Sequence, residues 1–405
     1  MLTNPIRKDW SIRIWIKMPT MAVELVGLLF LVAACGGSDS AVTGNQSATE
    51  TTPPTQRSES SPTAGVIANS SVANVDRKVG GEVGDLAPEF GGIETWINGG
   101  PLTMEELRGQ VVLIDFWTYT CINCIRTFPF LKQWNSRYAD DGLVIVGVHS
   151  PEFEFEKDYD NVVEATRNAA IAWTIAQDND FVTWRGYNNR FWPAKYLIDK
   201  DGVVRYKHFG EGGYAETEGL IRELLAEADP NFLANNLPLP EDQTVDPAFL
   251  TARDAEVTRE LYGGYERGES DLLFGRGGYV QQMQYFDSKD QVANFSITED
   301  HQPHKIYFEG VWHVGPESST HGRVTELFED YLALVYSATS VNAVLTSDSG
   351  EPYKVRITVD DEYLTDSNKG SDIIVGDDGE SYLWVTSPSL YNLISNDSYV
   401  RRQNL

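Results

Sequence analysis

The chain has 405 residues, 41% of them hydrophobic, and its 32 basic against 60 acidic residues give a net charge of −28. That length and composition allow more than one buried core and exclude a wholly disordered chain. The charge would repel phosphodiester backbones and anionic headgroups, so nucleic acid is excluded as a partner and proteins or neutral small molecules are favoured. Three cysteines are present: Cys35 ends an apolar run, and Cys121 and Cys124 form a C-x-x-C, which leaves none for a structural disulfide.

In chain order, a leader comes first. Arg7, Lys8, Arg13 and Lys17 precede the apolar stretch from Leu25 to Ala34, which runs into Cys35. Its ten residues fall short of the about 20 that a helix needs to cross a bilayer core, so the layout is that of an export signal. Leu31-Val32-Ala33-Ala34-Cys35 resembles the lipobox of bacterial lipoproteins. That resemblance implies cleavage before Cys35, lipid attachment at Cys35 and an extracytoplasmic protein anchored to a bacterial membrane. Cleavage near Ala34 with Cys35 incidental is the plainer alternative. Residues 36–80 are rich in Ser, Thr, Ala, Gly and Pro without an aromatic residue. They read as a flexible linker with a coil dimension of about 35 to 40 Å.

Residues 81–229 alternate strand and helix signals, which predicts an α/β domain. Val111 to Phe116 reads as a buried central strand. Cys124, Ile125, Phe128, Leu131, Trp134 and Tyr138 recur at three- and four-residue steps, the pattern of a helix with one packed face. Leu143 to Val148 is the next strand, and Ala194 to Ile198 and Val203 to Tyr206 flank the turn Asp199-Lys200-Asp201-Gly202. Leu220 to Ala228 closes the domain as an amphipathic helix. Cys121 falls at the strand-to-helix junction, where the amides of a helix N-terminus favour thiolate; Thr120 is the expected N-cap. Cys124 lies one turn deeper, so Cys121 is expected to attack and Cys124 to resolve. A zinc site would need two further ligands that this helix does not carry, so no metal and no cofactor are expected.

These residues resemble the thioredoxin superfamily. Asp115-Phe116-Trp117 before the C-x-x-C resembles the strand whose buried carboxylate moves the resolving thiol's proton. Pro129 matches the proline of the active-site helix. Trp192-Pro193 resembles the cis-proline loop that packs beside the disulfide and pairs with substrate backbone. The resemblance therefore implies catalytic roles for Cys121, Cys124, Asp115 and Pro193, and substrate contact by Trp192 and Trp117. Ile122-Asn123 between the cysteines, and Leu86-Ala87-Pro88-Glu89-Phe90 ahead of the core, are similar to the TlpA-like branch. More specifically, the run Trp117 to Cys124, His149-Ser150-Pro151-Glu152-Phe153 and Phe191 to Asp199 resemble the exported thioredoxin plus jelly-roll portion of DipZ-type proteins.

Residues 230–269 read as a linker with a short helix from about Ala252 to Tyr265. Residues 270–405 read as short alternating strands separated by turn clusters, an all-β sandwich. Strands are expected at Tyr279–Phe286, Gln291–Ile297, Lys305–Val314, Tyr331–Leu345, Tyr353–Val359 and Tyr382–Val385. The DipZ-type resemblance makes this a jelly roll of carbohydrate-binding type, so a glycan is a candidate ligand. The plainer reading is an appendage with Trp312 and Trp384 in its core.

The expected fold is thus an α/β thioredoxin domain followed by an all-β jelly-roll domain. The expected activity is extracytoplasmic thiol–disulfide exchange, in the reducing direction, on a protein disulfide, with electrons from a separate membrane or soluble donor. Two alternatives stay open. A thiol peroxidase is suggested by Thr118-x-x-Cys121, although Ile114 stands where the peroxiredoxin signature has proline. The other is a glycan-binding surface lipoprotein.

Overall fold

The computed structural model describes residues 11–17, 26–28, 77–232, 258–268, 278–298, 301–347 and 349–400. Cys35, linker residues 36–76 and 233–257, and the first part of the expected helix at 252–265 lie outside the described residues.

The middle region forms around one strand. β4 (Val111–Trp117) is buried along its whole length, because Val, Leu, Ile and Phe fill both of its faces. It pairs in parallel with β5 (Leu143–His149), which pairs in parallel with β6 (Thr174–Gln177), and β6 takes the edge strand β3 (Thr95–Ile97). On its other side β4 pairs antiparallel with β7 (Ala194–Ile198), and β7 with β8 (Val204–Phe209). The sheet order is β3-β6-β5-β4-β7-β8.

Side-chain alternation along β4 separates two cores. Val111, Leu113 and Trp117 pack with the helices α1 (Ile122–Tyr138) and α4 (Tyr214–Ala228) and with Val162 of α2 (Tyr159–Asn168). Val112, Ile114 and Phe116 pack on the opposite side with Trp184 of α3 (Val182–Gly186), Tyr187 and Tyr196. Asp115 sits between Leu113 and Trp117 and therefore faces the side of α1 and α4.

One carboxylate fastens those two helices. Glu218 of α4 is fully buried and accepts from Trp134 Nε1 at 3.0 Å, Tyr138 O–H at 2.5 Å, Arg137 at 3.0 Å and Arg222 at 2.5 Å. Burial alone would raise its pKa, but the bonds from Tyr138, Arg222 and Trp134 outweigh it and hold the carboxyl below its ordinary value.

The C-terminal region is an antiparallel β-sandwich. One sheet runs β16 (Ile374–Val375), β17 (Ser381–Val385), β14 (Tyr353–Val359), β1 (Ser11–Lys17), β12 (Tyr331–Val335), β10 (Ile306–Val314), β11 (Ser319–His321), β2 (Val26–Leu28). β15 (Glu362–Tyr363) adds to β14, and β9 (Val292–Phe295) to β10. The facing pair is β13 (Ala338–Leu345) and β18 (Ser389–Val400). Phe308, Trp312, Leu332, Val341, Ala343, Ile357 and Leu393 fill the space between them.

The structure corrects several expectations here. Residues 258–264 are not helical, and only Tyr265–Gly268 forms a helical turn; Gly263 and Gly264 interrupt the pattern. Tyr279–Phe286 is not a strand, because the Gln282 side chain takes the place of a backbone partner, bonding the Phe308 N–H at 2.7 Å and C=O at 2.8 Å. The expected strand Tyr331–Leu345 is two, broken at Ser337, whose N–H donates to the Thr258 hydroxyl at 2.8 Å. Trp312 is buried as expected, whereas Trp384 is 47% exposed on the outer face of β17. The stretch read as a leader contributes β1 and β2. Ile14 is buried between Leu332 and Ile357, and the alternation Ile12, Ile14, Ile16 is a strand period that the leader reading passed over.

Glu218→Ala removes the acceptor of four donors, two of them buried, Trp134 and Tyr138. It is expected to destabilise the protein by about 3 to 5 kcal/mol, measured as a lower denaturation midpoint in guanidinium.

Candidate active site

The end of β4 turns through Trp117-Thr118-Tyr119-Thr120 into α1, and this turn carries the two cysteines. Cys121 is itself the N-cap of α1, with an extended backbone, and its Sγ accepts the N–H of Cys124 at 3.1 Å. A sulfur in that position lies against the positive end of the helix, which stabilises its anion. Thr120 is not the N-cap, because its hydroxyl is committed elsewhere: it donates to Glu156 at 2.6 Å. Cys121 and Cys124 are joined as a disulfide with Cα atoms 5.2 Å apart. Cys121 is 8% exposed and Cys124 is buried, so the outer sulfur is the one a partner reaches.

Asp115 is buried on the same side of the sheet. Its carboxylate lies 3.3 Å from Lys195 Nζ, and both side chains are 1% exposed. Burial raises the Asp115 pKa and Lys195 pulls against it without cancelling it. Lys195 is placed by β7, whose alternation sends Ala194 and Tyr196 to one core and Lys195 and Leu197 to the other. Sequence reading passed over Lys195, although it stands two residues after Pro193; a lone lysine inside an apolar strand was the available signal.

The Trp192–Pro193 peptide is cis and leads directly into β7. The Trp192 indole donates to the Ser150 carbonyl at 3.0 Å and lies 4.4 Å from Trp184 between ring centroids. Phe191 beside it is 51% exposed. Trp117 does not lie at this surface. Its ring is 1% exposed and meets Phe128 and His149 edge-on, so the expectation of substrate contact there is corrected: alternation along β4 turns it into the core. His149 is buried too, and desolvation pushes it down to about 3, which keeps its imidazole neutral.

A second buried carboxyl adjoins the dithiol. Glu156, in the 3₁₀ turn Glu154–Lys157, accepts from Thr120 O–H at 2.6 Å, Thr120 N–H at 3.3 Å, Glu152 N–H at 2.6 Å and Phe153 N–H at 3.0 Å. Burial, with the Glu152 charge adding to it, pushes its pKa up to about 7. It is not legible in the sequence, where Glu156 is one of three glutamates in the run Glu152-Phe153-Glu154-Phe155-Glu156.

The β-sandwich reaches this neighbourhood. Phe153 and Val344 are buried together, with Ile122, Phe155, Tyr262 and Leu390 packed around them. Tyr262 O–H donates to Glu152 at 3.1 Å, and Arg267 also bonds the Glu152 carboxylate. Ile122, between the two cysteines, thus lies against the second domain.

The AhpC/TSA family matches residues 83–207 and the thioredoxin like C-terminal domain matches residues 258–405. Over 210 residues the chain is 43% identical to Protein DipZ of Mycobacterium tuberculosis, a match covering 51% of this chain and 29% of that protein. The chain thus spans under a third of that relative's length. It is 32% identical over 143 residues to the thiol-disulfide oxidoreductase YkuV of Bacillus subtilis, covering 35% of this chain and 95% of YkuV. Among solved structures, a thioredoxin-like protein in the oxidized form is 31% identical, covering 36% of this chain and 98% of that one, with a TM-score of 0.34.

Removing one partner of the Asp115–Lys195 pair leaves the other buried and unpaired. Asp115→Ala or Lys195→Met alone is expected to cost about 3 to 5 kcal/mol of stability in urea titrations, and the double variant Asp115→Leu, Lys195→Met less than either.

Proposed function

The chain belongs to the thioredoxin-like thiol–disulfide oxidoreductases, and from that premise we propose that it reduces protein disulfides outside the cytoplasm through a Cys121 and Cys124 dithiol. The observation that carries the proposal is the pairing of an N-cap sulfur, Cys121, with a buried sulfur one helical turn further in. In the reduced enzyme the Cys121 thiolate attacks one sulfur of the substrate disulfide. A mixed disulfide forms and the other substrate sulfur leaves as a thiolate. Cys124 then loses its proton and attacks Cys121 Sγ, which restores the enzyme disulfide and releases the second substrate thiol. Two electrons have passed to the substrate.

Asp115 is assigned as the acceptor of the Cys124 proton. A carboxylate whose pKa is raised by burial takes up a proton more readily than one in water, and Lys195 holds it in place. Pro193 and Trp192 form the wall against which an extended substrate segment pairs, and exposed Phe191 offers it an apolar contact.

The basic residues and apolar run ahead of Cys35 support export, with residues 36–80 as the tether, 81–229 as the redox domain, 230–257 as a linker and 258–405 as the second domain, whose sandwich core includes Leu261. Re-reduction of the dithiol is assigned to a separate membrane or soluble donor. A glycan is the second reading for the sandwich, favoured by the exposed Trp384 and by Lys354 lying 3.8 Å over the Tyr382 ring.

Cys124→Ser is expected to accumulate mixed disulfides with substrate at Cys121, seen as reducible adducts on gels, and Cys121→Ser to accumulate none. The reduction potential of the pair should lie near about −270 mV; a value near about −120 mV would mark an oxidase and overturn the reducing direction.

A further inference from the structure

Glu156 is fully buried against Thr120, the residue before the attacking Cys121, and none of the steps above uses it. Its two oxygens divide their work. Oε1 takes the hydroxyl and the N–H of Thr120, the residue that precedes Cys121, and Oε2 takes the N–H groups of Glu152 and Phe153. The turn it braces is short: the Cys121 N–H donates to the Thr118 carbonyl at 3.3 Å, and Cys121 Sγ is left over the Cys124 N–H. A rotation at Thr120 would carry that sulfur off the helix N-terminus, and Glu156 is the group that fixes Thr120 at both its side chain and its backbone. No cation touches this carboxyl among the contacts described; its partners, the Thr118 side chain included, are neutral donors.

We infer that Glu156 is a positioning residue for Cys121: it holds Thr120 so that the attacking sulfur stays at the N-terminus of α1, and its own charge opposes the thiolate formed there. This deepens the exchange mechanism proposed above and rests on it for its catalytic meaning. The second domain takes part through Glu152. The side chain of Glu152 is held by Tyr262 and Arg267, while its N–H is held by Glu156. The chain of contacts therefore runs from the β-sandwich to the residue before the nucleophile.

The ionisable groups around Glu156 set how it titrates. Glu152 just ahead of its turn raises it, and the Tyr119 hydroxyl feels its charge together with those of Asp158, the N-cap of α2, and Glu164 within α2. His149, stacked on Tyr119, is neutral. Glu260, Tyr262 and Arg267 act on it from the second domain through Glu152. With Glu156 pushed up to about 7, its ionisation falls in the range where a helix-capped thiol also titrates, so the two ionisations oppose each other.

The experiment uses the reduced full chain. Alkylation of Cys121 by iodoacetamide is followed from about pH 5 to about pH 9 by mass spectrometry of the Cys121 peptide, alongside the rate of reduction of a disulfide-bonded peptide. The wild type should show two inflections in the alkylation profile. Glu156→Gln should show one, with exchange slowed about 10- to 100-fold, and Glu156→Asp should restore the second inflection and part of the rate. Thr120→Val, which keeps the charge and removes the hydroxyl donor, should slow exchange while keeping both inflections. The inference is overturned if Glu156→Gln keeps both inflections, or if Glu156→Gln and Thr120→Val both exchange at the wild-type rate. A wild type that alkylates in two steps but reduces no disulfide would sink the exchange reading and leave the placement of Glu156 standing.

Discussion

A sulfur that must ionise while almost covered by protein needs a positive environment that does not itself have to be solvated. In this chain the N-terminus of α1 supplies it, since the Cys124 N–H points at Cys121 Sγ from within the helix. The rest of the middle region is arranged around that requirement. β4 delivers the chain to the right place and is buried on both faces, so the turn that follows it starts from a fixed origin. α1 is then fastened to α4 through Glu218, far along its length from the cysteines, which keeps the helix axis from swinging.

Three carboxyls are buried around this helix, and what faces each decides its state. Glu218 receives two arginines along with Tyr138 and Trp134 and is held ionised below its ordinary value. Asp115 has one lysine, which does not fully offset burial, so it is raised. Glu156 has neutral donors and a neighbouring glutamate, and it is raised to about 7. The sign on stability follows. Asp115 and Glu156 hold their protons more tightly in the folded chain, so the stability they contribute falls as pH rises from the ordinary carboxylate value through their folded values. Glu218 contributes stability that is lost as pH falls through its lowered value. Structural support and proton handling are thus divided among three carboxyls, of which the residue pattern marks only Asp115.

Much of this domain is legible from residue pattern because its signals are local. The apolar run at Val111 to Phe116, the three- and four-residue spacing from Cys124 to Tyr138 and the turn at Asp199 to Gly202 each specify their element without help from afar. The cysteine pair and the Trp192-Pro193 loop are legible for the same reason. Lys195 and Glu156 are not, since their meaning depends on strands and turns brought together by the fold; in the sequence each is one charged residue among many. Trp117 reads as a surface residue next to the cysteines only until strand alternation is applied to β4. In the β-sandwich the expected strand at Tyr279–Phe286 fails because a side chain, Gln282, satisfies the backbone of Phe308, and no sequence period records such a substitution.

The packing of Ile122, Phe153 and Phe155 against Val344, Tyr262 and Leu390 bears on how the enzyme is to be divided for study. Phe153 is 3% exposed, and Val344, which covers it, belongs to the other domain. A fragment cut in the linker would uncover this apolar cluster immediately beside the dithiol. It would present a patch prone to self-association at the place where substrate arrives. Rates, potentials and partner selection measured on such a fragment would describe a protein with a different reactive face, so the smallest unit that preserves the reactive face holds both domains.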